Sequence, residues 1–396
     1  MPSLTRRLLL AVLALSAFAC QDDFVPQSAI HGLRVLAVRP EPASGSPGAT
    51  VHLELLFADS RVPDPAAMSP MAPMPPVSIA WLGGCHNPPG RQYYACLPAL
   101  RRLANNPALG DASAAAPEFA SGPTFDETLP EDILSAAPKL PSDPVHYGVS
   151  YVFFAACIGD IGVDGASEFP LTCKDGGVPV GPSGFVIGFA TIYSYAGAEN
   201  QNHNPVLASL GFDGSPVFAA SPDALAELPV VTDMGAAGET GAPSDVTSPD
   251  CTVAGGVTGS GTALKCCQND DDCAGVTFSH AAACSVNHVC APVIGACGGS
   301  GCPGFRIAPL LEPASLESVT GGNEIVWASY YATLGAFENP GRLVVDRSNG
   351  VAENYTEIWK PPPPDGSGKD RTARVWATLN DQRGGATWGF FDVVVR

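Results

Sequence analysis

The chain of 396 residues carries 45% hydrophobic and only 15% charged residues, enough apolar material for packed cores and too much for wholesale disorder. Gly and Pro number 43 and 39, a composition that disfavours helical bundles and coiled coils. The formal net charge of −19 argues against nucleic acid as a partner, because phosphate-backbone binding needs Lys and Arg to displace counterions.

The first element in chain order is a leader. Arg6 and Arg7 precede an apolar run over 8–19 that is broken only by Ser16. Twelve residues rise about 18 Å as a helix, short of a hydrocarbon core of about 30 Å, so residues 1–19 read as a secretory signal peptide. The run ends in Ala17-Phe18-Ala19-Cys20, with Leu15 upstream. This resembles the lipobox of bacterial lipoproteins, whose Cys is diacylated and becomes the new N-terminus. Phe18 and Ala17 depart from the commonest form of that box, and Ala17-x-Ala19 also suits an ordinary signal peptidase. Cysteine arithmetic favours lipid on Cys20, since removing it from 13 Cys leaves an even number for disulfides. The expectation is an exported lipoprotein whose first partner is the membrane, reached through that lipid. Gln21 stands where Asp marks inner-membrane retention, so outer-membrane residence is expected, facing the periplasm or the surface.

A tether over 20–30 leads into alternating or apolar stretches bounded by Gly, Pro, Asp and Asn. Strands are predicted over 33–38, 51–57, 77–81, 149–155, 185–193, 206–212, 324–331, 354–359, 373–379 and 388–395. Helical turns are expected only at 97–104 and 130–136. Glu41-Pro42-Ala43-Ser44 recurs as Glu312-Pro313-Ala314-Ser315, each followed by a Gly turn and a hydrophobic strand, which suggests two copies of one fold. The fold class is therefore all-β: two immunoglobulin-like antiparallel β-sandwiches plus a disulfide-rich insert and long irregular loops. The first sandwich takes 31–200 with a long insert at 86–145. The second takes 204–396, interrupted by a linker at 219–249 and a Cys-rich insert at 250–304. Strand 206–212 should pair with strands of 305–396 if the insertion reading is right.

Eight cysteines crowd the insert: Cys251, Cys266, Cys267, Cys273, Cys284, Cys290, Cys297 and Cys302. So short a segment with so few aliphatic residues needs disulfides, each contributing about 2–4 kcal/mol. Eight Cys allow 105 pairings, so the connectivity is open. Cys85 with Cys96, and Cys157 with Cys173, form two local pairs around loops. A zinc site is the rival for the cluster, because His280 and His288 lie among the thiols; the chain has no Cys-x-x-Cys pair and an oxidising destination. Asp270-Asp271-Asp272 lacks the alternating spacing of an EF-hand loop. No metal and no cofactor are expected.

Catalytic motifs are missing. The chain contains no Gly-x-Ser-x-Gly and no His-Glu-x-x-His. Gly256 and Gly261 have P-loop spacing, but Thr262 occupies the Lys position. His31, His52, His86, His146, His203, His280 and His288 fall in different elements. The expected function is non-catalytic binding or scaffolding in the cell envelope, with protein or glycan meeting the 86–145 loop and the Cys-rich insert. The alternative is a secreted enzyme with a site between the two domains.

Cys266-Cys267-Gln268-Asn269-Asp270-Asp271-Asp272-Cys273, with Cys284 and Cys290, resembles the small Cys-rich modules of the Dickkopf N-terminal type. Larger pieces resemble predicted lipoproteins of myxobacterial type. They are Leu33-Arg34-Val35-Leu36-Ala37-Val38 with Glu41-Pro42, the strand end at Trp81 and Cys85, Asn204-Pro205-Val206-Leu207, and Asp381-Gln382-Arg383-Gly384-Gly385. That family has no assigned activity, so the resemblance implies a fold and an address but no site residues.

Overall fold

The computed structural model describes residues 26–60, 77–105, 119–139, 143, 145–197, 200–217, 267–274, 276, 278–286, 289–299, 301–319 and 322–396. The leader, Cys20, the 219–249 linker, Cys251, Cys266 and His288 lie outside these residues.

The first half contains β1 (Leu33–Glu41), β2 (Ser44–Gly45), β3 (Thr50–Asp59), β4 (Ser78–His86), helix α1 (Leu97–Asn105), β5 (Phe119–Ser121), β6 (Thr124–Thr128), β7 (Tyr147–Cys157), β8 (Asp160–Val163), β9 (Leu171–Asp175), β10 (Val178–Pro179) and β11 (Phe185–Tyr195). One sheet has the order β1-β3-β6; the other has β2-β11-β7-β4-β5, with β2 parallel to β11. They face each other across a core in which Leu53, Phe57 and Phe125 meet Trp81, Val152, Phe154 and Ile192. Chain alternation produces this, since Val51, Leu53, Leu55 and Phe57 share one side of β3. Strand β7 is apolar on both faces because α1 and its flanking turn cover its outer residues Val149, Tyr151 and Phe153. The 86–145 segment is thus no simple insert: it supplies β6 to one sheet and β5 to the other. Residues 130–136 form turns, not the expected helix.

The second half contains β12 (Leu207–Phe212), β13 (Ser215–Val217), β14 (Ala282–Cys284), β15 (Cys290–Ile294), β16 (Phe305–Leu311), β17 (Ser318–Val319), β18 (Gly322–Asn323), β19 (Val326–Ala332), β20 (Ala336–Phe337), β21 (Gly341–Asp346), β22 (Gly350–Val351), β23 (Glu357–Lys360), β24 (Arg371–Asp381) and β25 (Ala386–Val395). Its sheets run β13-β12-β16-β23-β20 and β14-β15-β25-β24-β19-β21-β22. Strand β12 pairs antiparallel with β16, as the insertion reading required. Strand β15, from the Cys-rich segment, pairs parallel with β25 through Val293↔Val394 and Ile294↔Val395. The segment is therefore built into the sheet and is not a knob standing off it.

The two halves repeat one plan: β1-β3-β6 corresponds to β12-β16-β23, and β2-β11-β7-β4-β5 to β15-β25-β24-β19-β21. The Glu-Pro-Ala-Ser repeat does not mark that correspondence. After Glu41-Pro42, a cis bond, the chain enters β2 and then β3, which pairs with β1 and β6. After Glu312 it forms a 3-10 turn at Pro313–Ser315 and then reaches β19, which lies in the opposite sheet between β24 and β21. Equal tetrapeptides occupy unequal places because the long-range pairing partners, not four local residues, decide which sheet a strand joins.

Between the halves, Leu36, Leu56 and Ala58 pack on Trp376 and Trp388. The guanidinium of Arg39 lies 5.0 Å from the Trp388 ring centre. Strands β24 and β25 are consequently buried on both faces.

Candidate functional site

The outer face of β11 carries part of an exposed aromatic surface. Ala190 and Ile192 point into the core, which turns Ile187 and Phe189 outward, 48% and 40% exposed. The turn after β4 supplies the rest. A Cys85–Cys96 disulfide closes that turn at its ends. Arg91, with φ of 53°, pairs with Asp143 at 2.7 Å, donates to the Pro138 carbonyl at 2.7 Å and stacks 3.9 Å from the Tyr147 ring centre. Its own carbonyl accepts from the Tyr151 hydroxyl at 2.8 Å. So fixed, the turn lays Tyr93 over Phe189, rings 4.3 Å apart and 20° from parallel, with Tyr94 edge-on to Tyr93 at 5.7 Å. Tyr93 and Tyr94 remain 43% and 53% exposed. Rigid rings with two rotatable bonds each offer contact area at small entropic cost, the property that enriches them in binding surfaces.

A slot of about 390 Å³ runs beside this face, between β1 and β11. Val35, Val38, Phe154 and Ala190 form its apolar part, and Asp381 and Gln382 border it.

The junction of the halves holds several buried polar groups, Asn202, Glu324 and Asp381 among them. Asn202 Nδ2 donates to Asp381 Oδ2, Asn204 Nδ2 donates to the Pro40 carbonyl, and Asn204 Oδ1 accepts from the Ala386 amide. Arg383 reaches Glu317 and the Asn200 carbonyl, and His203 Nδ1 lies 2.5 Å from Glu317 Oε1. Glu324 is buried with Oε2 unpartnered, and burial pushes its carboxyl up to about 7. Burial also raises Asp381. Residues 200–204 thus tie Pro40 of β1 to the closing hairpin at 381–386.

One grouping brings a His, a carboxylate and a Ser together. Ser150 Oγ donates to Glu127 Oε1 at 2.7 Å, and His86 Nδ1 lies 3.7 Å from the same oxygen. Burial holds the His86 imidazole down at about 4. Ser150 has no exposed surface, and Glu127 also accepts from the Gly84 amide at the irregularity in β4 between Leu82 and Cys85. The cluster satisfies buried backbone and does not present a nucleophile.

The expected cysteines divide as follows. Bridges join Cys85–Cys96 and Cys157–Cys173, the two local pairs expected from spacing. Within the insert, the connectivity left open by sequence is Cys267–Cys284, Cys273–Cys290 and Cys297–Cys302. The sulfurs of Cys267, Cys273 and Cys290 lie within 4.8 Å of one another, but each is already in a disulfide and none is a thiolate for a metal. His280 turns away from them to Asp213, 3.1 Å distant. Trp359, Trp376 and Trp388 are buried, and Trp327 is 47% exposed. Sequence reasoning missed Tyr93, Tyr94, Ile187 and Phe189. Their signal was present: adjacent tyrosines beside a stapled turn, and apolar residues at the outward positions of β11.

No family model matches the chain, and no curated protein matches it. Among solved structures, dimeric latent PorU from Porphyromonas gingivalis is similar over 93% of this chain, with 8% identity and a TM-score of 0.18. The chain spans 24% of that protein's length. A likeness so slight carries no argument about function.

Proposed function

We propose that this protein is a non-catalytic binding lipoprotein of the cell envelope, held to the outer membrane by acyl chains on Cys20, with two immunoglobulin-like sandwiches presenting a contact face. The strand orders β1-β3-β6 and β2-β11-β7-β4-β5 support the immunoglobulin-like assignment, because an edge strand that begins in one sheet and ends parallel to the last strand of the other fits that topology. The observation that carries the binding reading is the exposed stack of Tyr93, Tyr94 and Phe189 on a turn immobilised by a disulfide and by Arg91. No helix among the described residues is long and apolar enough to cross a membrane, consistent with anchoring by lipid.

A photoreactive residue placed at Tyr94 and irradiated in intact cells tests the reading. A discrete adduct is expected from position 94 and none from Val351, which is equally exposed on the second half. Identical patterns from the two positions, or no adduct at all, would reject the contact face.

A further inference from the structure

Strand β11 has one paired edge and one open edge. Along Phe185–Tyr195 it is hydrogen-bonded to β7, whereas β2 covers its other side only at Tyr193 and Ser194. Residue parity shows which groups face the open side. The Gly184 carbonyl accepts from Ile158, next to β7; the Ser183 carbonyl accepts from Leu33 on the opposite side, and the Thr191 carbonyl backs against Gly384 there. Successive residues of a strand turn their N–H and C=O to alternate edges. The N–H and C=O groups of Phe185, Ile187 and Phe189 therefore point to the open edge, and no described strand pairs with them.

This edge lacks the protection that other edges have. Strand β1 contains Arg34, Arg39 and Pro40; β10 and β13 contain Pro; β5 and β14 are three residues long, and β20 and β22 two. Strand β11 from Phe185 to Ile192 has neither charge nor proline. Long, uncharged, apolar edges promote strand addition, and proteins ordinarily blunt them. Apolar groups flank this one on both sides: Ile187, Phe189 and Tyr93 outside, and the slot with Val35, Val38 and Phe154 inside.

We infer that the open edge of β11 is a strand-addition site for an extended apolar segment of a partner protein, bordered by basic residues. This rests on the contact-face reading and names the partner class for that face. The unpaired amides and carbonyls require a partner with the same groups at the same repeat, which is an extended polypeptide. An added strand would turn alternate side chains toward Phe189 and into the slot, so both of its faces should be apolar. The net charge of −19 supplies the preference for basic flanks and opposes a second copy of the same chain as occupant.

The probe is a fluorescent synthetic peptide, Lys-Lys-Val-Thr-Val-Ile-Val-Lys-Lys, titrated against the full exported chain. Binding is expected, with protection of the Ile187 and Phe189 amides from hydrogen exchange. Ile187→Pro removes one outward N–H and spares the β7 ladder; it should weaken binding by about tenfold or more, while Ile187→Val changes it by less than about twofold. N-methylation of alternate peptide amides should weaken binding similarly, an arm that does not depend on the variant folding. Absence of binding, or binding indifferent to both proline and N-methylation, would overturn strand addition while the Tyr94 adduct still judges the contact face. Light scattering that finds a dimer abolished by Ile187→Pro would assign the edge to a second copy and overturn the proposal. A Tyr94 adduct removed by glycosidase and untouched by protease would put a glycan there and overturn it as well.

Discussion

Asn202 Nδ2 donates to Asp381 Oδ2 at 2.9 Å, so a residue in the segment between the sandwiches is bonded to the closing hairpin of the second. Asp381 is buried and also accepts from the amides of Arg383 and Gly385 at 2.7 and 2.8 Å. Removing the amide side chain leaves one carboxylate oxygen of the buried Asp381 short of a donor. Asn202→Ala should therefore cost about 1–3 kcal/mol in urea unfolding. Asn202→Asp should cost more, because it sets a second carboxylate against the first. An Asn202→Ala midpoint equal to wild type would mean the bond contributes nothing to stability.

Glu324 gives the junction a pH dependence of definite sign. Its carboxyl is raised to about 7, chiefly by burial, with Asp381 and Glu317 adding to the rise, and the Glu317 backbone bond and Arg383 opposing it. A group that prefers its proton in the folded state contributes stability that is complete below the ordinary carboxylate range, about 4.3, and lost as pH climbs through 7. Glu324→Gln mimics the protonated form. Its melting temperature should match wild type near pH 4.5 and exceed it at pH 8. Parallel curves across that window would assign no titration to Glu324. Asp381 shifts in the same direction and His86 in the opposite one, so only the difference between variant and wild type isolates the group.

Arg374 and Asp392 form a forked pair, Nε to Oδ1 at 2.8 Å and Nη2 to Oδ2 at 3.3 Å, and Ser285 of the Cys-rich segment donates to the same carboxylate at 2.9 Å. Breaking a buried pair strands a charge, so Arg374→Ala should cost about 3–5 kcal/mol. Ser285→Ala should cost about 1–2 kcal/mol. Replacing both charged partners, Arg374→Met with Asp392→Leu, should recover most of the first loss, as measured by chemical denaturation. A double variant no more stable than Arg374→Ala would contradict the stranded-charge account.

All cysteines other than Cys20 should be oxidised in the exported protein. Labelling after denaturation without reductant is expected to find almost no free thiol, and several free thiols with stoichiometric zinc would reverse that expectation. Cys267–Cys284 and Cys273–Cys290 each join residues 17 apart, a loop worth about 3 kcal/mol. Among the described residues, the other apolar groups in their cluster are Val276 and Ala282 at its edge. Reduction should therefore open the segment to proteolysis near Cys290 before either sandwich core unfolds.

Cys20→Ser should move the protein from the membrane fraction to the soluble one after cell lysis. Continued sedimentation with membranes would place the anchor elsewhere.

Most of the sheet architecture was legible because its strands announce themselves by alternation or by unbroken apolar runs. Residues 149–155 and 373–379, for example, sit at the centres of their sheets as β7 and β24. Strand β16 was not legible, since Pro309 interrupts it and it directly follows the cysteine cluster. Strands β5 and β6 were hidden in a loop because Phe119–Ser121 and Thr124–Thr128 are short and half polar. The contact face was legible in its separate parts but not as one surface. Tyr93 and Phe189 are nearly a hundred positions apart, and only the disulfide and the Arg91 bonds bring their rings together.

The parallel pairing of β15 with β25 ties maturation to the compartment. The strand that completes one sheet of the second sandwich is donated by a segment with little apolar core, which its disulfides must hold in shape. Its partner on the other side of the sandwich, β12, meets β16 only after a chain excursion of more than ninety residues. With the thiols reduced, β25 should keep a bare hydrophobic edge at Val394 and Val395, the residues that pair with β15. Synthesised where thiols stay reduced, the protein should accumulate with that edge open and aggregate through it.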